Sequence, residues 1–348
     1  TGAPAGLTPQ PAEGHDPRVT ALDWGSAMLP PKDQLTICFA HVAYQMQARF
    51  EARDTGIRCF QVNNFEDLQA RVVEADVVSV SMMWRNELIE RAARLRFIQS
   101  ISAGIDQYDR EKLAARGIRL ASAAGVNANA VAQHAMALIL ALARRLPEAR
   151  DNQAKRVWRG MISDLTQRED ELGGQTLLIV GLGRIGGTLA RLAKAFGMRV
   201  IATRRDPRAG GDADAVHGMD ALPTLLPQAD YVALTCPLTA ETERLINATT
   251  LALMRPSASL VNVARGRCVD EPALIEALRA GRIVGAALDT TVQEPLTESS
   301  PLWAMPNVLI TPHTAGETRR YEDNVIDILL DNLDRLWRGE PALRNQVI

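Results

Sequence analysis

Three glycines, Gly181, Gly183 and Gly186, form a G-x-G-x-x-G run between an apolar stretch, TLLIV, and an amphipathic one bearing Leu189, Leu192, Ala193 and Phe196. A second apolar stretch, RVIAT, completes a strand–helix–strand pattern. In that setting each glycine has a task. Gly181 permits a tight turn, Gly183 lets backbone approach a pyrophosphate, and Gly186 lets helix and strand pack closely. A dinucleotide's diphosphate would lie at the positive end of the helix, beside Arg184 and Ile185. At the end of the second strand an NAD enzyme usually carries an acidic residue, whereas this chain has Arg204 and Arg205. Guanidinium groups pair with a 2′-phosphate and gain little from a 2′-hydroxyl, so NADP is expected over NAD. Asp206, two places later, leaves open the alternative that a carboxylate reaches the ribose.

Three further stretches carry residues suited to acid–base and anion chemistry: VNVARGRCVDEPALIEAL, GAALDTTVQEP and LITPHTAG. With the glycine motif, and in this order, they resemble the D-isomer-specific 2-hydroxyacid dehydrogenase family over roughly residues 76–340. The resemblance implies that Arg265, Glu294 and His313 are catalytic. It places Asp289 near the nicotinamide carboxamide, and Cys236, Pro237 and Thr239 of TCPLT on the adenosine side. Ser102, Ala103 and Gly104 in ISAGIDQYD match its substrate-carboxylate loop, where small residues leave backbone N–H groups for an anion nest. Met82, Met83 and Trp84 fall where the family's first domain lines its cleft, although a Met–Trp cluster is more often core.

The chemistry asks for these residue types. Hydride delivery to a keto carbon leaves negative charge growing on oxygen, so a proton donor must stand within hydrogen-bond reach. An imidazolium suits that task near neutral pH, and a carboxylate beside it favours the charged ring and fixes its orientation. An arginine grips a carboxylate and polarises a carbonyl. The implied reaction is reduction of a small 2-keto acid to its 2-hydroxy acid, of glyoxylate or hydroxypyruvate reductase type. Two alternatives stay open: an NAD-linked relative such as a phosphoglycerate dehydrogenase, and a non-catalytic nicotinamide sensor similar to the corepressors that reuse this fold.

Positioning these residues requires two sheets. From Leu35 to about Ser122, LTICFA, IRCF, DVVSVS, RFIQSI and IRLA alternate with helical patterns such as NFEDLQARVVEA, as in a parallel sheet covered on both faces. From Thr176 six more strands follow: TLLIV, RVIAT, YVALT, SLVNV, GAAL and NVLIT. The expected fold is α/β with two doubly wound parallel-sheet domains. A Rossmann cofactor domain, 127–313, is inserted into a flavodoxin-like substrate domain, 33–126 and 314–348. The closing stretch, with Ile326, Leu329, Leu330, Leu333 and Trp337 on one face, should dock on that first domain. The stretch from Asn127 to Pro147 reads as one helix, too apolar to face water. In the family it meets its twin, so a homodimer is expected.

Composition sets outer limits. The chain has 348 residues, enough for two domains, and a net charge of -2 with scattered signs, which argues against a nucleic-acid partner. Its four cysteines and five histidines show no metal-ligand spacing, so no metal is expected and the thiols read as reduced, in a cytoplasmic setting. No apolar run is long enough to span a bilayer. Residues 1–32, rich in Pro, Gly and Ala, lack a signal-peptide pattern and read as a disordered or loosely packed extension.

Overall fold

The computed structural model describes residues 29–348, so the proposed extension lies almost wholly outside the described residues. The chain divides into two compact units, one of residues 29–123 with 325–348 and one of residues 124–324. The second unit therefore runs past His313 and takes up residues 314–324, which the sequence pattern had assigned to the first domain.

In the first unit five strands form an all-parallel sheet: β1 (Thr36–Ala40), β2 (Arg58–Val62), β3 (Val77–Val80), β4 (Phe97–Ser100) and β5 (Arg119–Ala121). Their order, β2-β1-β3-β4-β5, is the flavodoxin-like one. The central strands β3 and β4 are buried along their whole length, as strands covered on both faces must be. The C-terminal helix, Tyr321–Trp337, buries Val325, Ile326, Ile328, Leu329, Leu333 and Leu336. Leu330 and Trp337, expected on that face, are only half-buried at its margin. A buried amide pins this helix to the sheet, since Asn332 Nδ2 donates to Gln99 Oε1 of β4 at 3.0 Å.

The second unit has seven parallel strands: β6 (Thr176–Val180), β7 (Arg199–Thr203), β8 (Ala215–His217), β9 (Tyr231–Leu234), β10 (Ser259–Asn262), β11 (Gly285–Leu288) and β12 (Val308–Ile310). The order is β12-β11-β10-β9-β6-β7-β8. The chain lays β7 and β8 to one side of β6 and then returns to place β9 on the other, which creates the topological switch point where such sheets bind ligands. β8 was missed in the sequence because three half-buried residues are too few to show alternation. Register keeps the carboxyl ends level. Val180 pairs with Thr203 and Leu234, Asn262 with Leu288, and Leu288 with Ile310. Whatever follows these strands leaves the sheet along one edge.

The apolar stretch after Asn127 is a helix that stops just short of Arg145, Leu146 and Pro147, and a second helix that the sequence pattern did not show follows it. Ala128–Ala143 ends where Arg145 turns left-handed, and a polar helix, Leu146–Lys155, follows with Pro147 in its first turn. Proline stops a helix when it falls inside one but is pre-set for the start of the next. The first helix buries Val131, Ala132, Ala135, Met136, Leu138 and Ile139 within its own unit, in the core that includes Leu189 and Val261. Its apolar character therefore needs no second subunit to explain it. Among the described residues no helix is long and apolar enough to cross a membrane.

Candidate active site

The glycine turn follows β6, and its three glycines serve differently. Gly181 has φ +102°, and a Cβ there would fall 2.7 Å from Cα of Cys236. At Gly186 a Cβ would lie 2.5 Å from the Gly181 carbonyl oxygen. Both are required by the protein's own packing. Gly183 has open space where its side chain would be, so its freedom serves something that approaches from outside. It caps the helix Arg184–Ala195, whose first turn has neither a side-chain cap nor an acidic residue. That leaves the positive helix end for an anion.

Beside this turn lies a cavity of about 530 Å³, lined in part by Gly183, Arg184, Arg191, Arg204 and Asp212. Arg184 folds back and donates to the Ala124 carbonyl at 2.6 Å, while Ile185 packs against the core. Arg204 is half-buried and donates from Nη1 to the Gly210 carbonyl at 2.6 Å, which fixes the guanidinium at the cavity wall. Arg205 is exposed. Asp206 is occupied locally. Its carboxylate accepts from the Arg208 backbone and from Arg208 Nε at 2.9 Å, and it is held below the usual carboxylate range chiefly by that side chain. Arg191 and Asp212, paired at the cavity, carried no sequence signal. The residues present fit a dinucleotide: an uncapped helix start, a bare glycine and guanidinium groups surround one cavity.

The TCPLT loop follows β9 and reaches Gly181 through Cys236. Its turn is closed by Thr242, whose hydroxyl donates to the Pro237 carbonyl at 2.7 Å and accepts from the Thr239 N–H at 2.7 Å. All four cysteines are free. Cys236 in this loop and Cys268 in the turn after β10 are buried neighbours whose titrations influence each other. The neighbouring Cys236 thiol draws Cys268 down, while the Cys268 thiol and then burial push Cys236 up.

Arg265, Glu294 and His313 stand after β10, β11 and β12 respectively, on adjacent strands. Buried Asn262 shapes the first turn, donating to the Arg265 carbonyl at 3.0 Å and accepting from the Ala264 N–H at 3.0 Å. The Arg265 side chain is exposed, with Nη1 on the Ala264 carbonyl at 2.7 Å. A Cβ on Gly266 would overlap the Thr291 carbonyl at 2.0 Å, so only glycine lets this turn press against the Glu294 loop. Glu294 divides its oxygens. Oε1 accepts from the Thr291 N–H at 3.1 Å, and Oε2 pairs with His313 Nδ1 at 2.7 Å. His313 has φ +55°, a left-handed conformation that costs a non-glycine residue on the order of 1–3 kcal/mol.

Asp289, assigned from the resemblance to the nicotinamide side, is only 2% exposed, and its carboxylate is engaged within the protein. It accepts from the Thr311 hydroxyl at 2.6 Å, from the Thr314 N–H at 3.0 Å and from the Ala315 N–H at 3.2 Å. Its own carbonyl accepts from the His313 N–H at 2.8 Å. His134 closes the set, with Nε2 2.9 Å from Thr311 Oγ1 and 3.5 Å from Asp289 Oδ1. Neither His134 nor Thr311 was singled out in the sequence. Their link joins a helix to a strand end 177 positions away, which no local pattern shows.

In the first unit, Ser102 follows β4, and its hydroxyl pairs with Ser81 Oγ at 2.7 Å and donates to the Gly104 carbonyl at 2.9 Å. Ala103 is exposed and Gly104 half-buried. Trp84 corrects the pocket expectation. It is 1% exposed, packs against Tyr108 at 5.9 Å and donates to Asn86 at 3.1 Å, so it is core and cannot touch substrate. Met82, by contrast, is exposed.

The family model of the D-isomer specific 2-hydroxyacid dehydrogenase NAD-binding domain matches residues 136–315. The chain is 36% identical over 269 residues to a glyoxylate reductase of Korarchaeum cryptofilum, covering 75% of this chain and 80% of that one. A D-isomer specific 2-hydroxyacid dehydrogenase family protein from Aeromonas salmonicida shares its structure with a TM-score of 0.78 at 31% identity, over 90% of this chain and 99% of that one. An acyclic imino acid reductase solved with NADPH and D-Arg is similar at a TM-score of 0.77 and 25% identity, over 90% of this chain and 100% of that one. The chain belongs to the D-isomer specific 2-hydroxyacid dehydrogenase family and is an oxidoreductase of that class.

Proposed function

We propose that the protein reduces a small 2-keto acid of the glyoxylate or hydroxypyruvate type, with NADPH preferred over NADH. The observation that carries this reading is the 2.7 Å pair between His313 Nδ1 and Glu294 Oε2. With Nδ1 engaged, the other ring nitrogen is the one left to give a proton to the substrate oxygen. When bound, the nicotinamide cofactor supplies the hydride. Arg265 spends one nitrogen on the Ala264 carbonyl and keeps the rest of its fork for the substrate's carboxylate and carbonyl oxygens.

Two observations support NADPH. Arg204 is held at the cavity wall by the Gly210 carbonyl, while Asp206, the rival ribose contact, is engaged by Arg208. The glyoxylate reductase relative supports the substrate class. The test is oxidation of NADPH and NADH against glyoxylate, hydroxypyruvate, pyruvate and phosphohydroxypyruvate. The expected result is the highest kcat/KM with NADPH and one of the first two acids. A phosphorylated acid with NADH as the best pair would overturn the reading, and no oxidation at all would favour the nicotinamide sensor.

We also infer a homodimer. The helix Ala128–Ala143 no longer argues for it, but the segment after the second helix does. Val157, Trp158, Met161 and Leu165 are all exposed there, with Trp158 at 98%, and such a run of large apolar groups suits an interface. Sedimentation at micromolar concentration should show a species of twice the 37.9 kDa chain mass, and a monomer alone would refute it.

A further inference from the structure

The turn that presents His313 is held by a chain of hydrogen bonds whose last member belongs to a different element. Three N–H groups, of His313, Thr314 and Ala315, converge on Asp289, the first on its carbonyl and the others on its carboxylate. The carboxylate is in turn held by the Thr311 hydroxyl, which donates to Oδ1 at 2.6 Å. A hydroxyl has a single hydrogen, so Thr311 Oγ1 can only accept from His134. His134 Nε2, at 2.9 Å, must therefore carry the proton, and the bond runs from helix to threonine to aspartate to turn. Packing alone does not ask for a histidine here. The buried neighbours on the same helix, Val131, Ala135, Leu138 and Ile139, are all apolar.

We propose that His134 is a positioning residue for His313. Through Thr311 it fixes the Asp289 carboxylate, and through Asp289 it keeps His313 in its left-handed conformation with Nδ1 against Glu294. This rests on the reading of His313 as the proton donor. It differs from direct catalysis, because every contact of His134 in the network is made to Thr311 and Asp289. The expected signature is a loss in kcat with little change in substrate KM or cofactor affinity, since the turn shapes the proton donor rather than the binding groups.

The test uses the whole chain. His134→Phe keeps ring volume but removes the donor, and should lower kcat about tenfold, the scale on which residues behind a ligand or catalyst act. The Kd of NADPH should stay within about twofold. His134→Gln, whose amide can donate to Thr311, should recover most of the loss. Thr311→Val should match His134→Phe, and the double variant should be no worse than either, because both break one chain. Histidine ring 15N shifts of the protein without substrate or cofactor should show His134 protonated on Nε2. A His134→Phe enzyme with wild-type kcat, an additive double variant, or a ring protonated on Nδ1 alone would each overturn the proposal. Should the Phe variant fail to fold, Thr311→Val and the 15N measurement still decide. His313→Ala serves as the control. If it keeps its activity, the proton-donor reading has failed, whereas a collapse there beside an unaffected His134→Phe condemns only the positioning role.

Discussion

At the β10–β12 end of the seven-stranded sheet, Asn262 and Asp289 are buried and their side chains hold the turns that carry Arg265 and His313. At the β7–β8 end, Arg205, Asp206 and Arg208 lie exposed on a loop that also holds Gly210 and Gly211, both with positive φ. The same sheet edge supports both ends, yet only one is locked by buried polar groups. The difference suits the roles proposed for the two ends. Proton delivery depends on placement to a fraction of an ångström. Telling a phosphate from a hydroxyl depends mainly on the sign of nearby charge, which tolerates a looser frame. Glycine use shows the same contrast. Gly266 has the Thr291 carbonyl where its Cβ would be, whereas Gly210 has nothing near it.

The comparison can be broken most sharply at its rigid end. His313→Ala should lower turnover on the order of a hundredfold or more with NADPH binding intact, and unchanged turnover would remove His313 from the chemistry. Arg265→Ala should raise KM and lower kcat together, and Arg265→Lys should recover only part. A lysine keeps the charge but not the two-pronged grip, so full activity in that variant would show that fork geometry does not matter.

The looser end should respond less, and in preference more than in rate. One good charge-assisted contact from Arg204 to a 2′-phosphate would contribute roughly 1.5–3 kcal/mol, which corresponds to about a ten- to hundredfold preference for NADPH. Arg204→Asp should move the NADPH-to-NADH ratio of kcat/KM towards NADH, incompletely while Arg205 remains. A wild type that prefers NADH, with a ratio unmoved by the substitution, would show that another group reads the ribose.

How much of this was legible in the sequence depends on the range of each interaction. Gly181, Gly183 and Gly186 could be read directly, because a strand, a turn and a helix are contiguous and each glycine's task is local. Arg265, Glu294 and His313 were legible from their motifs and their places after apolar strands. β8 and the helix Leu146–Lys155 were not, the first being too short and the second too polar to show a period. Trp84 had two readings, pocket wall or core. The family resemblance suggested the pocket and the Met–Trp cluster the core, and a large buried ring with Tyr108 beside it is core.

The sequence by itself determined the alternation of the longer strands and helices, the glycine turn and the identities of the groups that could move a proton or hold an anion, since these rest on local periodicity and residue chemistry. Only the tertiary structure decided which of those groups face one another. The His313–Glu294 pair, the commitment of Asp289 to the His313 turn and the bond from His134 to Thr311 join segments between 19 and 177 positions apart. Such contacts exist because parallel strands in register bring distant chain ends to one edge.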